Sequence, residues 1–477
     1  MKRKLLSLLL VLVLMLSLII NAYAASDQTN AKGALLIVGG ALASTNAEIY
    51  NKFIELSGGT ENARIGIIPA ASSNLKSSNN FKADLIGYGV AEENIVILPI
   101  AVRDDSKTKD VDESTWIENS KKLEVAEQVK GLTGIWFVGG DQTRITKSLL
   151  NTDGTNTVVL DAIRELYQNG GVIGGTSAGA AIMSNPMIAG GTSLGALNKG
   201  FTDTYEDENS QLSGPVYVEP GLGFFEFGII DQHFDTRARL GRLIVAAYQY
   251  KDKYSLGFGV DEDTAMLYSG STNIVEVVGK GGVTIVDISK AVKDERYEQT
   301  AMKDVILHFI EPGDQLNVTT KEFTISSSKD ITNGYEYYAV EGPIANTGVF
   351  SGYNQVKQFV MYNLVDNESV TEIRSYCYDE KGEGAELLFR KTVDTKGYWG
   401  YRNGNQDGYS AVNVMLDINP IKVTIKAAPI EYTVKNGDVL WRIAEAHNVT
   451  IDSILELNHL KNPNLIIPGQ IILIPRQ

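Results

Sequence analysis

The sequence predicts an α/β protein: a parallel sheet with helices on both faces, followed by a β-rich stretch and a small C-terminal unit. Three observations carry this. Apolar runs at 34–38, 65–68, 95–98, 135–138 and 172–173 are short and unbroken, as strands buried on both faces require. Stretches of helical character at 47–56, 81–86, 116–129 and 158–167 lie between them. Glycine-rich or small polar turns follow the strands: Gly39-Gly40, Ala70-Ala71-Ser72-Ser73, Gly139-Gly140-Asp141-Gln142 and the run from Gly174 to Gly179. Parallel strands present their carboxyl ends along one edge, so these turns are expected to gather there and build the active site.

From the N-terminus, Lys2, Arg3 and Lys4 precede an apolar run over 5–20, and Ala22-Tyr23-Ala24 offers small residues for cleavage. Residues 1–24 therefore read as a secretory signal peptide, with an uncleaved anchor as the alternative; the run is short for a full span. The rest of the 477 residues exceeds one core. Residues 33–322 are expected to form the α/β domain, including strand-like runs at 227–230, 255–260 and 283–286. Residues 323–426, rich in Tyr, Thr, Val and Gly, read as a separate β-rich module without long helices. Their aromatics at 335–338 and 398–401 read as strand core, with stacking on sugars or arginine side chains as the alternative. Ala427-Ala428-Pro429 reads as a linker, and 431–477 as a last small unit. The net charge is −15, or −18 without the first 24 residues, which argues against a nucleic-acid partner. Cys377 is the only cysteine, so an intrachain disulfide and a Cys-rich zinc site are excluded.

The chemistry centres on Gly174-Gly175-Thr176-Ser177-Ala178-Gly179. A serine at a strand-to-helix bend presents its hydroxyl outward, and the following helix start aims free amides at whatever reacts there. The Ala178 amide is then one oxyanion donor and Gly140, in a turn that lets backbone approach a substrate, the second. Gln142 is a candidate substrate contact. The hydroxyl needs a base. Of four histidines, His447 and His459 lie in the C-terminal unit and His308 in an apolar run. His233, in Asp231-Gln232-His233-Phe234-Asp235-Thr236-Arg237-Ala238-Arg239-Leu240-Gly241-Arg242, stands at a strand-to-helix junction and is the favoured base. Arg237 is placed to share a helix face with His233, and Arg239 one with Arg242. Such a cluster in an acidic chain suits a carboxylate-bearing ligand, an Asp235–Arg239 pair accounting for one member. The acid orienting His233 comes from Asp261-Glu262-Asp263, after a strand; the spacing leaves the three open, with at least one expected in a solvated turn. This chemistry calls for no cofactor and no metal.

Gly-Gly-Thr-Ser-Ala-Gly-Ala, Gly-Gly-Asp-Gln, Asp-Gln-His-Phe-x-x-Arg-x-Arg-x-x-Arg and Gly-x-Asp-Glu-x-Thr-Ala occur here in one order over about 33–322. Together they resemble the cyanophycinases, serine peptidases related to aspartyl dipeptidase (peptidase E), with a fold like that of class I glutamine amidotransferases. The resemblance implies Ser177 as nucleophile, His233 as base and Glu262 as orienting acid. It places Gln142, Asp231, Gln232, Arg237, Arg239 and Arg242 against substrate. It implies hydrolysis of cyanophycin, a poly-aspartate with an arginine on each side chain, to β-Asp-Arg dipeptides, and it admits a homodimer. A serine at the elbow argues against amidotransferase chemistry.

Tyr432-Thr433-Val434-Lys435-Asn436-Gly437-Asp438 through Trp441, then Asn458, Ile467-Pro468-Gly469-Gln470 and Ile474-Pro475, resembles a LysM module. That implies a strand–helix–helix–strand unit binding N-acetylglucosamine-containing glycans, chiefly peptidoglycan, and an extracellular or wall-associated location. Two rival functions stand beside the first: an aspartyl or isoaspartyl peptidase acting on other peptides at the wall, and a wall-binding protein without catalysis.

Overall fold

Five strands, β1 (Ala34–Val38), β2 (Ile65–Ile68), β3 (Ile95–Ile97), β4 (Gly134–Phe137) and β5 (Val172–Thr176), run parallel in the order β1-β5-β4-β2-β3. They belong to a computed structural model that describes residues 32–205, 214–402, 404–424, 427–462 and 464–476. The leader expected at 1–24 lies outside the described residues. No helix among the described residues is long and apolar enough to cross a membrane.

Alternation along β1 shows why both faces are covered. Leu35 and Ile37 enter one core with Ile135, Phe137, Val159 and Ile163, under the helices Leu123–Lys130 and Val158–Gln168. Leu36 and Val38 enter another with Ile49, Phe53, Phe81 and Trp136, under Ala47–Leu56 and Lys76–Gly87. The sheet is mixed: beyond β1 it continues antiparallel through Thr264–Ser269, Ile274–Gly279, Gln315–Asn317 and Phe323–Thr324. The stretch expected as one helix over 116–129 is a tighter helix, Glu113–Lys121, followed by Leu123–Lys130.

A second sheet runs Ile229–Asp231, Leu256–Val260, Val283–Asp287, Met302–Ile310, Gln406–Lys422, Glu383–Arg390, Glu372–Tyr378. Here the β-rich stretch departs from a separate module. Its longest strand, Gln406–Lys422, lies against Met302–Ile310, with Leu307 opposite Val414 and Val305 opposite Leu416. One core holds Leu243 and Ile244 from the helix Leu240–Gln249 together with Leu307, Phe309, Phe389 and Leu416. The apolar run 305–310 needs a neighbour, and the β-rich stretch supplies it. That stretch also contains a ten-residue helix of wide pitch, Val356–Val365, whose β-branched and aromatic content reads locally as strand. Its aromatics are not all core: Tyr335 and Tyr337 are each 83% exposed.

The chain divides into two units, one running to Ile421 and one from Lys422 to Gln477. The second is strand Ile430–Thr433, helices Leu440–Ala446 and Ile451–Asn458, and strand Ile471–Ile474, with the two strands antiparallel. Asn458 bonds both the amide (2.7 Å) and the carbonyl (2.6 Å) of Leu473, which ties helix to strand.

Leu387, fully buried in the core of the second sheet, tests this continuity. Leu387→Ala is expected to cost about 2–5 kcal/mol. The loss should appear in the same transition that unfolds the active site, so denaturation followed by tryptophan emission and by activity should give coincident curves.

Candidate active site

Ser177 follows β5 and opens the helix Ala178–Ala181. Its φ of 55° and ψ of −108° place a non-glycine residue in a region costing about 1–3 kcal/mol. The bend requires glycine at 175, where a Cβ would lie 2.5 Å from the Gly179 carbonyl oxygen. The Gly139-Gly140 turn runs against Ser177. Among the described residues, neither the Gly140 nor the Ala178 amide donates to a protein acceptor, which leaves both available to a ligand.

Ser177 Oγ lies 2.8 Å from His233 Nε2, and His233 Nδ1 lies 2.5 Å from Glu262 Oε1. With Nδ1–H donated to the carboxylate, Nε2 is left to accept from the hydroxyl. Three successive carbonyls at the end of β1 hold the three segments: Val38 accepts from the Ser177 amide (3.0 Å), Gly39 from that of His233 (2.6 Å) and Gly40 from that of Asp263 (2.8 Å). Gly40 has φ +127°, and a Cβ there would sit 2.3 Å from His233 Cε1. Burial holds the imidazole below its ordinary value of 6.5, with Arg237 and Arg239 pushing the same way and Glu262 pulling against them. It is therefore neutral, and able to accept a proton, at neutral pH.

The three acids have three fates: Asp261 is buried, and Glu262 and Asp263 stand half-buried in the turn. Glu262 meets the imidazole. Asp263 accepts from the Ala43 amide and Asn46 and pairs with Lys280 at 2.6 Å. Asp261 is buried and accepts from the amides of Gly282 (3.0 Å) and Asp235 (3.3 Å). Burial pushes the carboxyls of both Asp235 and Asp261 upward. The pair retains a proton where free carboxylates have lost theirs. Sequence reasoning gave no signal for it, because the two residues are 26 positions apart and meet only through the fold.

The arginine cluster does not act as one. Arg242 is buried and grips Asp231 with two nitrogens, at 2.8 and 2.6 Å, while donating to the Gly191 carbonyl at 2.7 Å. Neither Asp231 nor Arg242 is free for substrate, which corrects the expectation for both, and Arg242's partner is Asp231 on the preceding strand. Arg239 donates to the Gln232 carbonyl and stands 3.7 Å from Asp231, so the expected Asp235–Arg239 pair does not form. Gln232 Oε1 lies 3.5 Å from Ser177 Oγ. Gln142 Nε2 donates to the Ile188 and Ala189 carbonyls, fixing a neighbouring strand. Arg237 alone of the three guanidiniums is exposed, with no ion pair among the described residues.

A 610 Å³ cleft opens beside Ser177 and His233, walled by Tyr50, Phe81, Asp84 and Trp136. The Tyr50 hydroxyl donates to Asp84 at 2.7 Å. These residues come from the helices Ala47–Leu56 and Lys76–Gly87 and from β4, and the sequence reading singled out none of them. No lysine or arginine lines this cleft.

The fold and the Ser–His–Glu series define a serine peptidase. The chain belongs to peptidase family S51, whose profile matches residues 35–275. A cyanophycinase of Geminocystis herdmanii (strain PCC 6308) is 32% identical over 299 residues, covering 61% of this chain and 96% of that one. One of Trichormus variabilis (strain ATCC 29413 / PCC 7937) is 31% identical over 294 residues, covering 60% and 86%. Residues 432–475 match the LysM domain. An N-acetylmuramoyl-L-alanine amidase of Bacillus subtilis (strain 168) is 29% identical over 104 residues, covering 20% of this chain and 32% of that one.

Arg242→Ala removes the two-nitrogen grip on buried Asp231 and leaves only Arg239, at 3.7 Å, as its cation, and should cost up to about 3–5 kcal/mol of stability. Arg237→Ala should leave the denaturation midpoint nearly unchanged and raise KM. Denaturation and steady-state kinetics on the two variants separate a structural from a substrate-facing arginine.

Proposed function

We propose that this protein is an extracellular serine-type exopeptidase that hydrolyses cyanophycin to β-Asp-Arg dipeptides. The observation that carries the proposal is the unbroken relay, 2.8 Å from Ser177 to His233 and 2.5 Å on to Glu262. The relatives named cyanophycinase support the substrate. His233 takes the Ser177 proton as Oγ attacks the peptide carbonyl. The oxyanion is met by the Gly140 and Ala178 amides, and Glu262 stabilises the imidazolium. Collapse breaks the C–N bond, with His233 returning the proton to the leaving amine, and water attacks the acyl-enzyme by the same route. Arg237 holds a carboxylate of the substrate. Asp84, in a cleft without lysine or arginine, receives a guanidinium. The LysM unit retains the enzyme on N-acetylglucosamine-containing wall glycan, with Trp441, 51% exposed beside a 730 Å³ cleft, as the contact surface.

A peptidase acting on other aspartyl or isoaspartyl peptides is the second reading. The burial of Arg242 favours it, because fewer guanidiniums are left to hold the polymer's carboxylates.

Purified cyanophycin incubated with the enzyme should yield β-Asp-Arg by mass spectrometry. Intact polymer beside cleaved isoaspartyl dipeptides would establish the second reading instead. Ser177→Ala should lose fluorophosphonate labelling and fall in kcat by on the order of 10⁴-fold or more.

The pH profile follows from the imidazole. Activity is lost as pH falls and His233 gains a proton. Because burial holds its pKa down, the acid limb of kcat/KM should have its midpoint below pH 6.5.

A further inference from the structure

The β-rich stretch carries a second cavity, of 780 Å³, outside the catalytic cleft and outside the regions matched by either family profile. It is built on one face of three antiparallel strands. Asp330 stands opposite Trp399, and Trp399 opposite Tyr409; one step along, Tyr401 stands opposite Asp407. Residues directly opposite share a face, so acids and aromatics alternate across this surface. Tyr401 packs edge-on to Trp399 at 5.0 Å. Trp399 Nε1 donates to Asp407 Oδ1 at 3.3 Å, which sets the indole against the carboxylate.

The charge is one-sided. Three carboxylates line the cavity and no lysine, arginine or histidine does. Asp366 is satisfied by the Tyr337 amide and the Tyr409 hydroxyl. Asp330 and Asp407 are exposed, and no cation is paired with either among the described residues. The neighbouring ammonium, Lys357, is held by Glu311 and the Asp407 carbonyl, each at 2.8 Å. The hydroxyls of Thr332 and the tyrosines would serve a sugar as well, but the unpaired charge of Asp330 and Asp407 calls for a cation, which a neutral sugar does not supply. A guanidinium has five donors, no acceptor and a flat face that stacks on aromatic rings.

We propose that this cavity is an accessory binding site for guanidinium groups, and that it holds arginine side chains of the polymer while the catalytic site works at the chain end. The ligand assignment to the polymer rests on the proposed function. The connection to the catalytic loop is short. Val356 donates to Asp235, two residues beyond His233, at 3.2 Å. Six residues along the same helix, Tyr362 packs against Tyr409 at 4.9 Å and Tyr338 at 5.8 Å, behind the cavity. Those two contacts lie on the order of 10 Å apart along the helix. A second grip turns rebinding after each cleavage into an intramolecular event.

The test uses the full chain and the double variant Asp330→Asn with Asp407→Asn, which keeps shape and hydrogen-bond acceptors while removing charge. KM for soluble cyanophycin should rise roughly tenfold or more, with kcat for a substrate of two β-Asp-Arg repeats unchanged. Direct binding is read separately: argininamide should quench tryptophan emission in the wild type and in Ser177→Ala, and lose that quench in Trp399→Phe. Unchanged polymer KM in the double variant, or a quench by an N-acetylglucosamine tetramer in place of argininamide that is lost in Trp399→Phe, overturns the site. If the wild type cleaves neither substrate while the argininamide signal depends on Trp399, the catalytic reading has failed and the guanidinium site stands.

Discussion

The carboxyl end of β1 is the constraint on which the active site depends. Three consecutive carbonyls, those of Val38, Gly39 and Gly40, bind the backbones of Ser177, His233 and Asp263. The strand behind them is buried through Leu35–Val38 and lies between β5 on one side and Thr264–Ser269 on the other. The nucleophile leaves the end of β5, and the orienting acid sits just before Thr264. The base comes from the second sheet. One turn thus serves as the common reference for three segments brought from three directions. Its position is as fixed as the core.

That reference also sustains unusual backbone. Ser177, His233 and Asp263 all have positive φ, at 55°, 45° and 53°. Each such residue costs about 1–3 kcal/mol and persists only where its surroundings over-determine it. Here each amide is pinned by the β1 turn, and the side chains are pinned further on: His233 between Ser177 and Glu262, Asp263 by Ala43, Asn46 and Lys280. Gly40 has to be glycine because the imidazole occupies the space a side chain would take. A doublet that reads in sequence as a simple turn signal is therefore fixed by the histidine 193 positions away.

Much of the α/β frame was legible in local pattern. The runs at 34–38 and 65–68 are strands over those residues, and 47–56 is a helix over its full length. Unbroken apolar runs of that length leave few alternatives to buried parallel strands. The serine and histidine stand out because a polar residue framed by glycines or acids after an apolar strand breaks the pattern. The choice among Asp261, Glu262 and Asp263 was not legible, since adjacent carboxylates differ only in where the chain points them. Nor was the burial of Arg242: its partner precedes it by 11 residues, outside helical spacing, on a strand that ends before the helix begins. The continuity of 323–426 with the second sheet was hidden for a similar reason. Strand pairing between Met302–Ile310 and Gln406–Lys422 spans about a hundred residues and leaves no local trace.

The electrostatics of the site resolve once these long-range pairs are counted. Four carboxyl groups, Asp231, Asp235, Asp261 and Glu262, crowd around or beneath the loop that bears His233. Four full negative charges would hold the imidazole protonated and useless as a base. The fold cancels most of them. Arg242 neutralises Asp231, with Arg239 close behind. Asp235 and Asp261 are buried together, so that both are pushed upward and the pair retains a proton. The β-rich stretch contributes to that burial: Val356 donates to Asp235, and Gly352 packs against the Thr236 carbonyl. Glu262 is left as the one carboxylate bonded to the ring, against Arg237 and Arg239. Desolvation then decides the balance in favour of a neutral imidazole. On this account the residues beyond 322 are part of the machinery that sets the base. Were Asp235 opened to water with the fold intact, the buried pair would ionise and the pH at which His233 begins to accept a proton from Ser177 would rise.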